Sequence, residues 1–454
     1  MEFMPVIMAA GEGSRITDLT SKCPKALLPV GNMPMIWYPV NMLERAGFEE
    51  AIVVVLQSTL NEIQKTLVDI HGVKIKLYFE GIPDDDWGTA DSLRFLIGKI
   101  KTDVLVISCD LITDLSLHHI ANIHRTYDAS VTMLLSTVPQ QYLDIAPPGV
   151  KTRKRSDKDF IGFDEKGDRV LFMASEADLE ETVTFRKSVL KRNPFINIRS
   201  GLTDCHLYLM KKWVVDYLST SKSISSIRSE LIPYLVKKQF SKPKQDILNT
   251  NQSVISMETK PDIFSFSSDD ELTHRVREMS TWIDHEGDME DCYYNNKIRC
   301  YAYIQDGGFC VRTNTIAAYS ESNKQIPRLL PNLAPSLEIS NIHPAATVKN
   351  KSQVGGDCLI AEGTLLGDKS SVKRSIVGKH CKIGDKCKIA NSVIMDYVTI
   401  SDSCSVTGSI VGSNVHINEK CEVKDCIVGA GQSLNAMGQF TNEAIVDIDK
   451  MMEI

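Results

Sequence analysis

The chain has 454 residues, of which 43% are hydrophobic, and a formal net charge of −7 at pH 7. Its length predicts two or three domains, and its mildly acidic charge argues against direct binding to nucleic acid or to an anionic membrane. The first residues lack the basic segment and the long apolar run of a signal peptide or membrane span, so the sequence favours a protein of the cytosol.

The chain opens with a short apolar strand at residues 6–10, which ends in a glycine-spaced loop. The candidate binding residues of this region are Gly11, Gly13, Ser14, Arg15 and Lys25. The backbone of a glycine loop can approach a ligand closely. Its N–H groups, together with the Arg15 guanidinium and the Lys25 ammonium, are suited to binding phosphates. No third glycine completes the dinucleotide-binding fingerprint, so the alternative interpretation is a tight turn after a strand.

The same region resembles a known family signature. Residues 9–15, AAGEGSR, and 24–30, PKALLPV, are similar to the motif of the sugar-nucleotide pyrophosphorylases, which join a nucleoside triphosphate to a sugar 1-phosphate using magnesium. The resemblance implies an α/β nucleotidyltransferase-like domain with a nucleotide pocket at the Gly11 loop and Lys25.

Strand and helix patterns alternate after the loop. Apolar runs predict strands at 51–56, 75–79, 104–108 and 131–136, and helical spacing of apolar residues predicts helices at 34–46, 61–70, 89–99 and 117–127. This alternation predicts a Rossmann-like parallel sheet covered on both faces. Ligands of such sheets bind beyond the carboxyl ends of the strands, where the Gly11 loop is expected.

Two later stretches point to the same edge of the sheet. Gly88 and Thr89 begin a GTA segment that, by the resemblance, lines the nucleotide pocket, although Thr89 also suits a helix cap. Asp110 ends the buried strand 104–108, where the resemblance implies the first magnesium-binding aspartate. Cys109 stands where the family has glycine, and an aspartate after a strand is also an ordinary loop cap.

The second magnesium position differs from the family. Residues 308–315, GFCVRTNT, followed by Tyr319, align with a family segment Trp-x-Asp-x-Gly, and the alignment puts Arg312 at the metal-binding aspartate. A guanidinium repels a divalent ion, which argues against metal-dependent phosphoryl transfer. The predicted nucleotide-binding residues are therefore interpreted as vestigial, with no catalytic residue and no metal ligand assigned. Arg312 also suits direct contact with phosphates, so nucleotide binding stays open.

The first domain is expected to span residues 1–330. Residues 151–161 and 241–296 have the polar, weakly periodic sequence of insertions, and the second is expected to be a poorly ordered loop. Between them, residues 223–240 predict a helix that Pro233 bends or restarts. A returning strand is predicted at 299–304.

From about residue 342 the pattern changes to apolar residues spaced by six, six and five. The resulting 17-residue period is visible at Ile383, Ile400 and Ile417. It predicts a parallel β-helix of hexapeptide repeats at 342–454, after a linker at 331–341. The family resemblance adds a left-handed coil. Open strand edges at its ends predict capping or docking on a partner.

The cysteines of the coil follow the same period. Cys387, Cys404 and Cys421 lie 17 residues apart and are expected to stack in one interior column. Strand layers are about 4.8 Å apart, so the outer thiols are nearly 10 Å from each other and cannot share a metal ion. The column is interpreted as small core residues, while His380 and His416 are expected to be isolated on the surface.

Nearly the whole chain resembles the gamma-subunit family of eukaryotic translation initiation factor 2B, a pyrophosphorylase-like branch. The similarity is carried by residues 1–20, 82–93, 102–118, 226–240 and 451–454. It implies a non-catalytic or regulatory subunit of the complex that exchanges GDP for GTP on initiation factor 2. The implied partners are sister subunits, especially epsilon, and initiation factor 2, with no cofactor. The alternative is an active magnesium-dependent sugar-1-phosphate nucleotidyltransferase, which the intact Gly11 loop and Lys25 favour.

Overall fold

The structure is a computed structural model. It describes residues 2–70, 73–83, 86–137, 148–149, 158–178, 184–185, 187–241, 262–267, 275, 297–335 and 340–446. The chain forms an α/β domain around a seven-stranded sheet, followed by a coil built from three six-stranded sheets. The predicted fold class, an α/β domain followed by a parallel β-helix, is confirmed.

The strands of the α/β domain are β1 (Phe3–Met8), β2 (Pro29–Val30), β3 (Met33–Pro34), β4 (Glu50–Leu56), β5 (Lys76–Ile82), β6 (Asp103–Ser108), β7 (Leu111–Thr113), β8 (Val131–Thr137), β9 (Asp159–Phe163), β10 (Val170–Ser175), β11 (Asn197–Arg199), β12 (Leu202–Met210), β13 (Cys300–Gln305) and β14 (Cys310–Arg312). Its helices are α1 (Thr17–Thr20), α2 (Trp37–Arg45), α3 (Leu60–Asp69), α4 (Thr89–Phe95), α5 (Leu117–Thr126), α6 (Lys187–Arg192), α7 (Lys212–Thr220), α8 (Ile232–Lys238), α9 (Ile263–Phe266) and α10 (Ile316–Leu333). The predicted helix at 89–99 is shorter than expected, since α4 ends at Phe95.

The main sheet has the strand order β13-β8-β12-β6-β1-β4-β5. Strands β6, β1 and β4 are parallel to one another and almost fully buried, because helices cover both faces. The prediction of a wholly parallel sheet is wrong at β12, which runs antiparallel to both β6 and β8. This strand follows the small sheet β10-β9-β11 and enters from the opposite end, so it needs no crossover helix.

Parts of the two predicted insertions are ordered. Residues 151–157 lie outside the described part of the chain, but Ile161, within the first predicted insertion, is a buried residue of β9. Most of 241–296 also lies outside the described residues. The expectation of a poorly ordered loop is wrong for α9, because Ile263 and Phe264 pack into the main core.

The helix predicted at 223–240 is interrupted near Pro233, as the prediction of a bend or restart at this proline states. A π-helical turn, Ile227–Leu231, precedes α8, and Pro233 lies in the first turn of α8. Proline has no N–H to donate to the preceding turn, which explains why the chain restarts there.

The coil's strands fall into three parallel sheets. The first contains Thr347–Val348, Leu365–Leu366, Lys382–Ile383, Thr399–Ile400, His416–Ile417 and Ser433–Leu434. The second contains Gln353–Val354, Ser371–Lys373, Lys388–Ala390, Ser405–Thr407, Glu422–Lys424 and Gln439–Thr441. The third contains Leu359–Ile360, Ile376–Val377, Val393–Ile394, Ile410–Val411, Ile427–Val428 and Ala444–Ile445. From Leu359 onwards paired residues lie 17 positions apart, as predicted.

The predicted cysteine column is buried inside the coil. Ser370 begins this column, and Cys387, Cys404 and Cys421 continue it. Each side chain donates a hydrogen bond to the carbonyl oxygen 14 residues further on, at 2.8 Å for Ser370 and 2.9–3.1 Å for the thiols. The thiols therefore act as small core groups that also satisfy a corner carbonyl.

His380 and His416 are exposed, as expected, but His380 is not isolated. Its ring stacks on that of Tyr397, 17 residues later, with centroids 5.3 Å apart. The coil repeat brings the two rings together because both occupy the same corner in successive turns.

The coil packs on the α/β domain through its third sheet, which we call the docked face. The outward residues of the docked face are apolar and buried: Leu359, Ile376, Val393, Ile410 and Ile427. They join one hydrophobic cluster with Tyr319, Ile326 and Leu330 of α10. Among the residues that the structure describes, no helix combines the length and apolar character needed to cross a membrane.

Candidate functional site

The centre of the candidate site is Asp110, which follows β6 at the carboxyl edge of the main sheet. The strand is fixed there because the Cys109 N–H donates to the carbonyl oxygen of Met8 in β1 at 3.0 Å. The Asp110 backbone carbonyl accepts hydrogen bonds from the N–H and hydroxyl of Thr313. Its side chain is completely buried.

Two cations hold the Asp110 carboxylate. Lys25 Nζ lies 2.6 Å from Oδ2, while Arg312 donates from Nε to Oδ1 at 3.1 Å and from Nη2 to Oδ2 at 3.0 Å. The Lys25 and Arg312 side chains are only 12% and 10% exposed. We call these three residues the Asp110 clamp. It joins segments that are 85 and 202 residues apart in sequence.

The clamp fixes the ionisation state of Asp110. Burial by itself raises the pKa of a carboxyl group, but the charges and hydrogen bonds of Arg312 and Lys25 outweigh it and hold the Asp110 pKa well below its usual range. Burial likewise opposes the charge on Arg312, yet Asp110 raises the pKa of that guanidinium. The clamp is thus a buried ion triad with a net charge of +1.

A magnesium ion does not fit this arrangement. Magnesium takes carboxylate oxygens at about 2.0–2.1 Å in an octahedral shell, whereas both Asp110 oxygens already accept hydrogen bonds from cations. Arg312 places its positive charge beside the carboxylate, where a second carboxylate would be needed. Within the described residues, no group of three or more His, Cys, Asp or Glu side chains is arranged to hold a metal ion.

The glycine loop lies beside the clamp but does not close over it. Gly13 has a φ of +83°, and a Cβ there would lie 3.0 Å from Thr20 Cγ2, so this position requires glycine. Gly11, Ser14 and Arg15 are exposed, and only Lys25 of the predicted phosphate contacts reaches Asp110.

Gly88 and Thr89 are engaged by the protein itself. The Ala90 N–H donates to the carbonyl oxygen of Ser225 at 2.8 Å, and Thr89 Oγ1 accepts from the N–H of Ile227 at 2.9 Å. A Cβ on Gly88 would lie 2.2 Å from the Ser225 carbonyl oxygen. The segment before the π-helical turn therefore lies directly against the GTA segment.

One small cavity lies between the described residues at this edge. A cavity of about 20 Å³ is lined by Met8, Thr89, Val106, Ser108, His206, Tyr208 and Ile227. Such a cavity has room for a single water molecule, while pockets for drug-sized ligands measure roughly 300–1,000 Å³.

Three residues of β12 complete the site and were not predicted. The Tyr208 hydroxyl donates to Asp204 Oδ2 at 2.6 Å, and burial raises the pKa of Asp204. His206 adopts a φ of +50° at a bulge, and its buried Nε2 has no hydrogen-bond partner among the described residues. Burial lowers the pKa of His206 well below its usual value, so the ring is neutral. In the sequence, the only sign of these three residues is that they are polar residues within an otherwise apolar run.

The position aligned with the family's tryptophan is used for packing. Cys310 of β14 is buried, with its Sγ 3.4 Å from Cys205 Sγ in β12. A thiol occupies less volume than an indole, which lets β14 lie close to β12. Arg312 follows two residues later, and this strand therefore delivers the guanidinium to Asp110.

Comparison with known proteins agrees with this two-part architecture. Residues 4–171 match the family model of nucleotidyl transferases, and residues 341–439 match that of the EIF2B subunit epsilon LbH domain. The chain is also similar over shorter stretches to nucleotidyltransferases, including the mannose-1-phosphate guanyltransferase of Saccharomyces cerevisiae, with 28% identity over 35% of this chain and 46% of that protein.

Longer similarities are to translation factors. The eIF2B gamma subunit of Schizosaccharomyces pombe is 31% identical over 377 residues, which cover 82% of this chain and 74% of that protein. The gamma subunit of Dictyostelium discoideum is 31% identical over 404 residues, covering 84% and 88%. That of Caenorhabditis elegans is 32% identical over 54% and 60%. The chain belongs to the family of eIF2B gamma subunits.

Proposed function

We propose that this chain is a non-catalytic, regulatory subunit of translation initiation factor eIF2B, the complex that exchanges GDP for GTP on initiation factor 2. Membership of the gamma-subunit family supports the place in that factor. The observation that supports the lack of nucleotidyl transfer is the contact between Arg312 and Asp110, because it puts a guanidinium where a metal-dependent enzyme needs an anion.

The contents of the former pocket support the same proposal. The Asp110 clamp neutralises the carboxylate internally, and the segment 225–227 occupies the hydrogen-bonding groups of Thr89 and Ala90. Nucleotidyl transfer needs a positioned metal and room for a nucleotide and a sugar phosphate. We therefore propose that the chain has no resident magnesium or nucleotide cofactor.

The proposed partners are the sister subunits of eIF2B, especially epsilon, together with initiation factor 2. The coil matches a family model named for the epsilon subunit. Among the described residues, the docked face is the coil sheet that joins a hydrophobic cluster of the α/β domain, and we propose that the other two sheets serve intermolecular contacts. A translation factor works in the cytosol, which we propose as the location.

A second candidate function is sugar-1-phosphate nucleotidyl transfer. The observation that favours it is the match of residues 4–171 to the nucleotidyl transferase family model. The retained Lys25 fits this activity, because it is the only predicted phosphate contact that lies at the buried centre of the site.

The substitution Lys25→Gln separates the two functions. It leaves the bidentate pair of Arg312 and Asp110 intact, so the fold should be preserved. A tagged Lys25→Gln chain should co-purify with the sister subunits as the parent chain does. The assembly should release GDP from initiation factor 2 at a rate within about twofold of the parent.

The opposite results would overturn the proposal. One is purification of the tagged parent chain from cytosol without translation factor subunits. Another is magnesium-dependent formation of a sugar nucleotide by the parent chain that falls more than tenfold in Lys25→Gln. Lys65→Gln is the matched control, because Lys65 is an exposed lysine of α3 outside both the glycine loop and the Asp110 clamp.

A further inference from the structure

We propose that residues 187–199 form a docking surface for an extended segment of another protein that carries acidic and apolar side chains. The surface comprises helix α6, strand β11 and the loop between them, and we call it the basic edge. It belongs to the small sheet β10-β9-β11 and contains none of the Asp110 clamp residues. The inference is independent of whether the clamp is catalytic.

The backbone of the basic edge is available for strand addition. β11 pairs with β9 along Asn197–Arg199, and no described strand pairs with its other side. An edge strand presents unpaired N–H and C=O groups, and an added strand satisfies them. The surface therefore suits an extended polypeptide, which brings its own backbone groups.

The apolar side chains of the basic edge point to a specific contact. Three large apolar side chains within a stretch of nine residues are exposed: Leu190 by 47%, Phe195 by 67% and Ile198 by 46%. The segment that carries them is anchored, because Val189 is buried and Ile196 packs over Gly162 of β9. A fixed segment that exposes large apolar groups pays a solvation cost that a partner removes.

The charge of the basic edge selects the partner. Residues 187–199 contain no Asp or Glu, and their cationic residues are Lys187, Lys191, Arg192 and Arg199. This charge of +4 stands out in a chain whose net charge is −7. A second copy of the chain would bring like charge to the same surface, whereas acidic side chains would complement it.

The direct test is binding of a labelled synthetic peptide to the full chain. The peptide is ten residues long and alternates Glu with Val and Phe; a second peptide has Lys in place of each Glu. Fluorescence anisotropy should show micromolar binding of the acidic peptide, and binding should weaken as salt is raised. The Lys peptide should bind at least tenfold more weakly.

Variants of exposed residues assign the binding to this surface. Phe195→Ser with Ile198→Thr, and separately Lys187→Glu with Lys191→Glu, should each weaken binding at least tenfold. Val68→Ser is the matched control, because Val68 is an exposed apolar residue of α3. Circular dichroism should show the same folded spectrum for every variant.

Other results would overturn the proposal. These are no binding up to millimolar peptide, equal binding of both peptides, or equal loss of binding in Val68→Ser. Sedimentation of the parent chain as a dimer that the Phe195 and Ile198 changes dissociate would show that the occupant is a second copy.

Discussion

The Arg312 guanidinium binds both carboxylate oxygens of Asp110, from Nε at 3.1 Å and from Nη2 at 3.0 Å. The contact is buried and pairs the end of β6 with β14. A guanidinium of the protein thereby compensates the charge of a buried carboxylate at the ligand edge of the sheet.

Removing that guanidinium should destabilise the α/β domain. Arg312→Ala leaves Asp110 buried with Lys25 alone and takes away two hydrogen bonds, so a loss of about 3–5 kcal/mol is expected. Urea unfolding measures it. The control is Arg328→Ala, which breaks an Arg–Asp pair with Asp357 that is mostly exposed to solvent. That change should cost much less stability than Arg312→Ala, because solvent screens the exposed pair. Equal losses would show that the clamp stabilises the fold no more than an exposed ion pair does.

Stability should fall between pH 7.5 and 5.5 partly because of His124. Burial lowers the pKa of His124 to about 3, while an unfolded chain has a histidine pKa of about 6.5. The folded ring stays neutral as the unfolded one takes up a proton. Its contribution is therefore complete above pH 6.5 and is lost as pH falls toward 3, by up to about 1.4 kcal/mol per pH unit.

Urea unfolding at pH 7.5, 6.5 and 5.5 measures this slope. His124→Gln should flatten it by about 1 kcal/mol over that range. The matched control is His416→Gln, because His416 is exposed in the folded protein. A slope in His124→Gln equal to that of the parent chain would contradict the assignment.

The docked face should be essential for packing of the coil on the α/β domain. Ile410→Asp puts an unpaired carboxylate into an apolar interface, so we expect a loss of at least about 3 kcal/mol or separate unfolding of the two parts. Limited proteolysis and calorimetry measure this. Lys388→Asp changes the equivalent outward position of another coil sheet, and it should leave a single transition. Two transitions in both variants would contradict the assignment.

The interior thiols should be replaceable by hydroxyls. Cys404→Ser keeps a donor for the Asn418 carbonyl oxygen, as Ser370 does for Gly384 in the same column, and should cost less than about 1 kcal/mol. Cys404→Leu adds volume at a tight corner and should cost about 1–3 kcal/mol. Thermal unfolding with and without EDTA checks both. A metal role would appear as a lower melting temperature of the parent chain in EDTA.

The repeat made the coil predictable from sequence. A period of 17 determines which residue stacks on which, and it therefore predicts that Cys387 and Cys404 lie in the interior. The same period places His380 and Tyr397 at one corner of successive turns, although the prediction of an isolated His380 did not use it. Ile376 and Ile410 have an outward position in the coil, and only the packing of the α/β domain explains why they are apolar.

The candidate site was predictable only in part. The alignment with the family motifs identifies Asp110, Lys25 and Arg312 as candidate site residues. Their mutual distances depend on contacts between segments 85 and 202 residues apart, and the spacing of apolar residues does not predict such contacts. The antiparallel course of β12 and the position of Ser225 over Ala90 are long-range features as well. The sequence therefore does not predict Asp204 and His206 as site residues, because a polar residue in an apolar strand does not indicate which residues it will contact.

The most direct test of the central claim is magnesium-dependent exchange of labelled pyrophosphate into nucleoside triphosphate, in the presence of sugar nucleotides, by the purified chain. We expect the parent chain to show no more exchange than Asp110→Ala, because Arg312 and Lys25 already hold the only carboxylate of the clamp. Exchange that requires magnesium and disappears in Asp110→Ala would contradict the account and establish a working nucleotidyltransferase.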